Sequence, residues 1–481
     1  MNYKFYSAIM ITVFVILVYN SMEMIKMTKN EIFKKTTSMM EAVYHNSKKD
    51  TDSVSVTNYS NLVYTDEEGR EIWTEAFSAA IKENEHILIP ATDTPYYIDK
   101  PVFIPSDRYI EAEDGACIRL KKGTKTLLFR NENNEDGTHK KETFQNPDKN
   151  IYIYGGKWEE EHGSRKGYGS SGMYDENRTF YGVSTCMFFN NIENLILENL
   201  TFSHAGGFGI QMGNVKNVVI RNIKFESCYA DGIHINGNTE CIYINHVEGH
   251  VGDDLVALNM YDWQDSSVDF GPIKTVWCED LNLYPESGYK AMRIEPGTYY
   301  YNNGDAVDCS LNDAVIKTVR GIKTFKLYFQ TPRYKLTESP EKGDVGSGDN
   351  IYFEDIVIDL TEPIDKVREY LESDPVTGSI AGFEIGANIG NLYFENIDIT
   401  LHRDEFPMSF LACVGPKSVR AWESEFFDPY INCTVENIYL KNVKVSPENT
   451  ENYIHEIVFN DIYNDGTATG KGTIKNIKLL D

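Results

Sequence analysis

Three phrases in the middle of the chain align without gaps: Asn194-Leu-Ile-Leu-Glu-Asn-Leu-Thr-Phe202, Asn217-Val-Val-Ile-Arg-Asn-Ile-Lys-Phe225 and Glu240-Cys-Ile-Tyr-Ile-Asn-His-Val-Glu248. They start at 194, 217 and 240, a step of 23 residues. The phrase returns at Asn350, Asn391 and Asn437, the last two 46 apart, which reads as two steps, and Asn150-Ile-Tyr-Ile-Tyr154 opens a similar one. A step this short excludes helical-hairpin repeats and fits one coil of a parallel β-solenoid; the Leu-x-x-Leu-x-Leu signature of leucine-rich repeats is absent. Apolar residues alternate within each phrase, as strands require. A second short strand follows each phrase, starting at Phe208, Asp231 and Asp254, again 23 apart. Asn199, Asn222 and Asn245 fall in one column, where asparagine tolerates a left-handed bend and stacked amides bond from coil to coil. The expected fold is all-β: a single-stranded parallel β-helix, right-handed by the usual crossover rule.

A solenoid has open ends that need covering. Trp73, Phe77, Ala80 and Ile81 share one helical face, ahead of the strand-like Ile87-Leu-Ile-Pro90 and Pro101-Val-Phe-Ile-Pro105. This predicts an N-terminal capping helix. The β-helix is expected to fill 61–481 as one catalytic domain. Residues 21–60, polar and rich in Lys and Ser/Thr, read as a tether. Residues 1–20 contain the apolar run Phe5–Tyr19 behind Lys4, short for a membrane span, and read as a signal peptide or membrane anchor. The protein is therefore expected to be secreted or held at the cell surface.

Of 481 residues, 46 are Lys or Arg and 73 Asp or Glu, a net charge of −27. That acidity excludes a general nucleic-acid binder, which needs a basic footprint. The eight cysteines form no Cys-x-x-Cys pair. This rules out a zinc ribbon or thioredoxin-like motif and fits buried apolar fillers.

Registry sets Asp231 beneath Asp254, with Asp253 beside it, on strands about 4.8 Å apart. Like charges that close push one carboxyl pKa up. A protonated acid beside an ionised base is what glycosidic hydrolysis uses. The plainer alternatives are turn residues or a calcium site. A 12-residue insertion around Met260–Gly271 follows, carrying Trp263. Matching Met292 and Ile294 to Val256 and Leu258 puts Arg293 in the outward column of Ala257, His234 and Gln211. His234, Arg293 and Lys290 are the candidate substrate contacts. Lys290, like Lys323 and Lys326, also reads as a solvated surface residue. Trp263 and Tyr289 would stack on a sugar or pack under a loop. No metal and no cofactor is called for.

These motifs resemble those of the polygalacturonase-like glycoside hydrolases (family 28) in the pectin-lyase-like β-helix superfamily. Tyr229-Ala-Asp-Gly-Ile233 looks like that family's Asn-Thr-Asp-Gly-Ile, Gly252-Asp-Asp254 matches its Gly-Asp-Asp, and Arg293-Ile-Glu295 resembles its Arg-Ile-Lys. The resemblance implies inversion at the anomeric carbon without a metal. It implies Asp253 as general acid, Asp231 and Asp254 as holders of the water, and Arg293 as ligand to a sugar carboxylate. The family's Gly-His-Gly phrase has no counterpart, and Glu295 reverses the charge of the expected Lys. Both departures point to a glycan other than polygalacturonate, neutral or rhamnose-containing. The leading expectation is a glycoside hydrolase acting on a plant-type or pectic polysaccharide or oligosaccharide. A polysaccharide lyase and a non-catalytic glycan-binding surface protein are the alternatives.

Overall fold

The computed structural model describes residues 27–47, 52–124, 127–132, 146–160, 185–262, 267–300, 306–328, 346–361, 380–401, 408–413, 433–446, 458–459 and 472–481. Strands dominate, and nearly all pair in parallel with the strand one coil earlier and one coil later. The fold is a parallel β-helix. The strands around the candidate site are β1 (Phe208–Cys228), β2 (Ile233–Asn236), β3 (Thr239–Val251), β4 (Val256–Asn259), β5 (Ile273–Leu283), β6 (Ala291–Ile294) and β7 (Thr324–Tyr328). β2 lies between β1 and β4, with Ile233 pairing Ile210 and Val256. β3 lies between β1 and β5, with Ile244 pairing Ile220 and Cys278. These paired residues point inward and are fully buried. The period-two alternation of each phrase thus becomes a continuous apolar stack.

The corners are made by residues in the left-handed region. His246 bends β3 at φ 61°, and Asn199, Asn222, Asp280, Thr318, Asp355, Asn396 and Asn442 also have positive φ. Short polar side chains tolerate this conformation because they bond locally. Here they bond to the next coil: Asn222 Nδ2 donates to Asn199 Oδ1 at 2.8 Å, Asn442 to Asn396 at 2.8 Å, and His246 Nδ1 meets Asp280 at 2.7 Å. A second column repeats the device, Asn217 donating to Asn194 at 2.9 Å and Asn194 to Asn150 at 2.8 Å.

Two details of the expected register are corrected. The third phrase is one residue out of step, since Arg221 pairs with Asn245 and Ile223 with Val247. His246, not Asn245, therefore stands in the corner column. Apolar alternation survives a small change in turn length, so the gapless match hid it. In addition, Asn391 pairs directly with Asn437. The 46-residue interval is thus one coil with a long connection rather than two coils.

The tether expected over 21–60 is corrected within the described residues. Lys29–Ser47 form α1, a 19-residue helix lying across the outer face of one sheet. Ile32 packs with Trp277 and Val315, and Val43 packs with Tyr152, Ile196 and Val219. Polar contacts pin both ends: Lys29 Nζ meets Glu354 at 2.5 Å and Glu395 at 2.6 Å, and the Tyr44 hydroxyl donates to Glu198 at 2.7 Å. Few apolar residues suffice because the sheet presents aromatic rings to them. Val56 is likewise buried. Residues 1–20, expected to be a signal peptide or anchor, lie outside the described residues. Among the described residues no helix is long and apolar enough to cross a membrane.

The double variant Ile32→Asp/Val43→Asp is expected to release α1, since each change would bury an unpaired carboxylate. Limited proteolysis should then cut within residues 29–47 at least about tenfold faster while the coils stay resistant. Unchanged resistance of this segment would show that the helix does not depend on those contacts.

The capping helix is present as α2 (Thr74–Glu83), which buries Phe77, Ala80 and Ile81 against the first coils. None of the eight cysteines is in a disulfide, and all but Cys117 are buried.

Candidate active site

Asp231 lies in the turn ahead of β2, and Asp253 and Asp254 lie in the turn ahead of β4, one coil further on. The Gly232 N–H donates to the Asp254 carbonyl at 2.9 Å, and the Asp254 N–H donates to Asp231 Oδ1 at 3.3 Å. The acids are thus stacked, as the spacing predicted.

This alignment survives the one-residue slip because a bulge cancels it. Phe225 pairs with Gly249 but Cys228 pairs with Val251, so the step returns to 23 before the acids. Glycine is needed at the bulge: Gly249 has φ +145°, and a Cβ there would lie 2.2 Å from the Phe225 carbonyl oxygen. At Gly252, beside the acids, a Cβ would lie 2.1 Å from the Tyr229 carbonyl oxygen. Close backbone approach of this kind is the usual reason for glycine in a strand turn.

Oxygen atoms of Asp231, Asp253 and Asp254 lie within 4.8 Å of one another. Asp231 and Asp254 are buried, and Asp253 is partly exposed. Burial raises the Asp254 carboxyl well above the usual carboxylate range. The nearby Arg293 opposes this, and the charges of Asp253, Asp231 and Glu295 add to it. Burial and crowding thus favour the protonated form of Asp254 relative to an ordinary carboxyl.

Arg293 on β6 stands over the acids. Its Nη2 is 3.2 Å from Asp253 Oδ1, its Nε is 3.6 Å from Asp254 Oδ2, and its backbone N–H donates to Asp254 Oδ1 at 2.9 Å. The pairing of Leu258 with Ile294 sets it in the column of Ala257, as expected. The next residue of the column is Lys326, which is fully buried, and Tyr289 packs under both cations, 4.7 Å from Arg293 and 5.2 Å from Lys326. Tyr289 thus packs beneath charged side chains. Three acidic oxygens so close can also suit a divalent ion, but the guanidinium already supplies their positive charge, and a second cation beside it would be repelled.

The backbone beside Lys290 is tied to the coils on either side, since Tyr289 N–H donates to the Gly252 carbonyl at 3.2 Å and the Lys290 carbonyl accepts from Lys323 N–H at 2.7 Å. The solvated-surface readings of Lys290 and Lys326 are corrected: both are buried. Lys323 Nζ donates to the Asp359 carbonyl at 2.5 Å, which gives it a structural partner. Trp263 lies outside the described residues.

His234 is corrected as a substrate contact. It is 2% exposed, and both ring nitrogens are engaged. Nδ1 is 2.5 Å from Asp231 Oδ2 and Nε2 is 2.8 Å from Asp262 Oδ2. The Phe208 ring stacks on the imidazole at 4.0 Å, closing one face. Burial lowers the His234 pKa, but hydrogen bonds and charge from Asp231 and Asp262 outweigh it and push the value up to about 10.

Asp262 is not among the residues that the sequence pattern picks out. It begins the insertion after β4, where no column match constrains it; an acid just beyond a strand that faces a buried histidine is the only available signal.

No family model and no curated protein matches the chain. Among solved structures it is similar to the exopolygalacturonase from Thermotoga maritima, at 13% identity over 85% of this chain and 93% of that one, with a TM-score of 0.44. It is also similar to the family 28 exopolygalacturonase of Yersinia enterocolitica, at 11% identity over 90% of this chain and 79% of that one, with a TM-score of 0.44. PfbA, a surface adhesin of Streptococcus pneumoniae, is similar at 14% identity over 82% of this chain and 91% of that one, with a TM-score of 0.43. Likenesses this remote carry no functional argument.

Proposed function

We propose that the protein is a glycoside hydrolase that cleaves a plant-type or pectic polysaccharide or oligosaccharide with Asp231, Asp253 and Asp254. The observation that carries the reading is the stack of three carboxylates on consecutive coils, one of them with its pKa raised by burial, beneath an arginine. Asp253 is the member that reaches solvent, so it is the one placed to pass a proton to a leaving glycosidic oxygen, drawing on the neighbouring Asp254 carboxyl, whose pKa burial raises. Asp231 and Asp254, from adjacent coils, then hold and orient the attacking water. Arg293 binds the sugar beside the cleaved bond and limits the charge repulsion among the acids. Because Arg293 is already engaged by two carboxylates and Glu295 is buried next to them, a neutral or rhamnose-containing unit suits this subsite better than galacturonate. The apolar run Phe5–Tyr19 supports export to meet such a substrate.

The family resemblance implies inversion, whereas the carboxylate oxygens, within 4.8 Å of one another, are closer than the roughly 6.5–9.5 Å that inverting pairs commonly keep, so the released anomer decides the stereochemistry. A screen of reducing ends released from pectic and hemicellulosic polymers tests the activity, and proton NMR of the first-formed anomer tests the stereochemistry. New reducing ends whose release resists chelator are expected. Unsaturated, ultraviolet-absorbing products that disappear with chelator would point to a lyase. Polymers left intact across the screen would point to a binding protein.

A further inference from the structure

One imidazole joins an acid of the cluster to an acid outside it. Asp231 uses Oδ2 to meet His234 Nδ1 and Oδ1 to accept the Asp254 N–H. His234 Nε2 meets Asp262. Two carboxylates at opposite ends of one ring favour a proton on both nitrogens, with the Asn236 amide N–H directed to the Asn259 carbonyl at 3.3 Å rather than to the ring.

The surroundings leave this ring little freedom. From β1 come Phe208, stacked at 8° to the ring, and Gln211, which donates to Asn236 Oδ1 at 3.1 Å. From β2 itself, Asn236 Nδ2 lies 3.3 Å from His234 Nε2. From β4, the partner in register is Ala257. The charged groups facing the ring are therefore Asp231, from the turn ahead of β2, and Asp262, from the connection after β4. Asp262 is buried, and its neighbour Tyr261 is fixed by donating its N–H to the Glu295 carbonyl at 2.9 Å.

We propose that Asp262 is a positioning residue: it holds His234 as an imidazolium, which in turn locks the Asp231 carboxylate in the orientation that faces Asp253 and Asp254. This deepens the hydrolase reading and rests on it for its catalytic consequence, but the Asp262–His234–Asp231 relay exists whether or not the protein turns over a glycan. Asp262 lies outside the three-carboxylate cluster, so its influence passes through the ring. A neutral amide at 262 leaves His234 with one carboxylate, and the ring then gives up a proton more readily.

The test is NMR on the full chain, following the His234 ring nitrogens and the Asp231 carboxyl carbon across pH. In the wild type both ring nitrogens should stay protonated from about pH 6 to about pH 9, in keeping with the raised His234 value. In Asp262→Asn the ring should titrate about one to two pH units lower, and the Asp231 carboxyl signal should move. Asp262→Glu should restore both in part. On rhamnogalacturonan, Asp262→Asn should lower kcat by about tenfold with KM unchanged and should narrow the pH profile. A wild-type ring with one bare nitrogen at neutral pH would overturn the proposal even if the variant did not fold. An unchanged His234 titration in a folded Asp262→Asn would overturn it as well. If no pectic or hemicellulosic polymer of the reducing-end screen is cleaved while the NMR behaves as stated, the relay stands and the hydrolase reading fails.

Discussion

The Asp253→Asn variant is expected to lose about 10²–10⁴-fold in kcat on the cleaved glycan, with the coils intact. The amide is nearly isosteric but carries no transferable proton. Asp253 is the only one of the three acids with appreciable solvent access, so no neighbour can replace it at the leaving oxygen. Its loss also removes an ion-pair contact of Arg293, so substrate binding should hold or tighten while turnover collapses. Steady-state kinetics with circular dichroism as the fold control checks this. A folded variant with wild-type kcat would remove Asp253 from the chemistry, and with it the proposed water-holding roles of Asp231 and Asp254.

The second large effect lies in the core. Phe383 is fully buried among Phe325, Phe353, Phe394 and Phe410, at ring distances of 5.0, 5.0, 4.7 and 5.4 Å. Phe383→Ala should cost about 3–5 kcal/mol, because packed rings on successive coils cannot collapse into the space. In a stacked fold that loss is felt first by adjacent repeats. Hydrogen exchange should therefore speed up across 380–401 and 408–413 before it does across 208–259. Uniform acceleration over the whole chain would argue against local propagation.

The architecture was legible because inward-facing residues of neighbouring coils obey one period, and so the acids, fixed to that period, could be placed from spacing alone. Arg293 was legible for the same reason, since Met292 and Ile294 repeat the inward pattern of Val256 and Leu258. Features not tied to the period were hidden. The slip corrected by the Gly249 bulge leaves every apolar alternation intact. Asp262 sits in an insertion with no counterpart in other coils. His234 could be assigned to a column, but its burial depends on what covers that column, which local pattern does not encode. Helix α1 escaped notice because its composition is polar overall. Its signal lay only in the helical spacing of Ile32, Thr36 and Val43.

That helix changes how the molecule must come apart. A 19-residue helix is about 28 Å long, enough to cross about six coils at about 4.8 Å each. Its Lys29 ion pairs join residues more than 300 positions apart in sequence. A stack held only by neighbours would peel from either end like a zipper. Splinted by α1, the middle of this one should give way in a single step and should refold slowly, since the splint can engage only after distant coils have assembled.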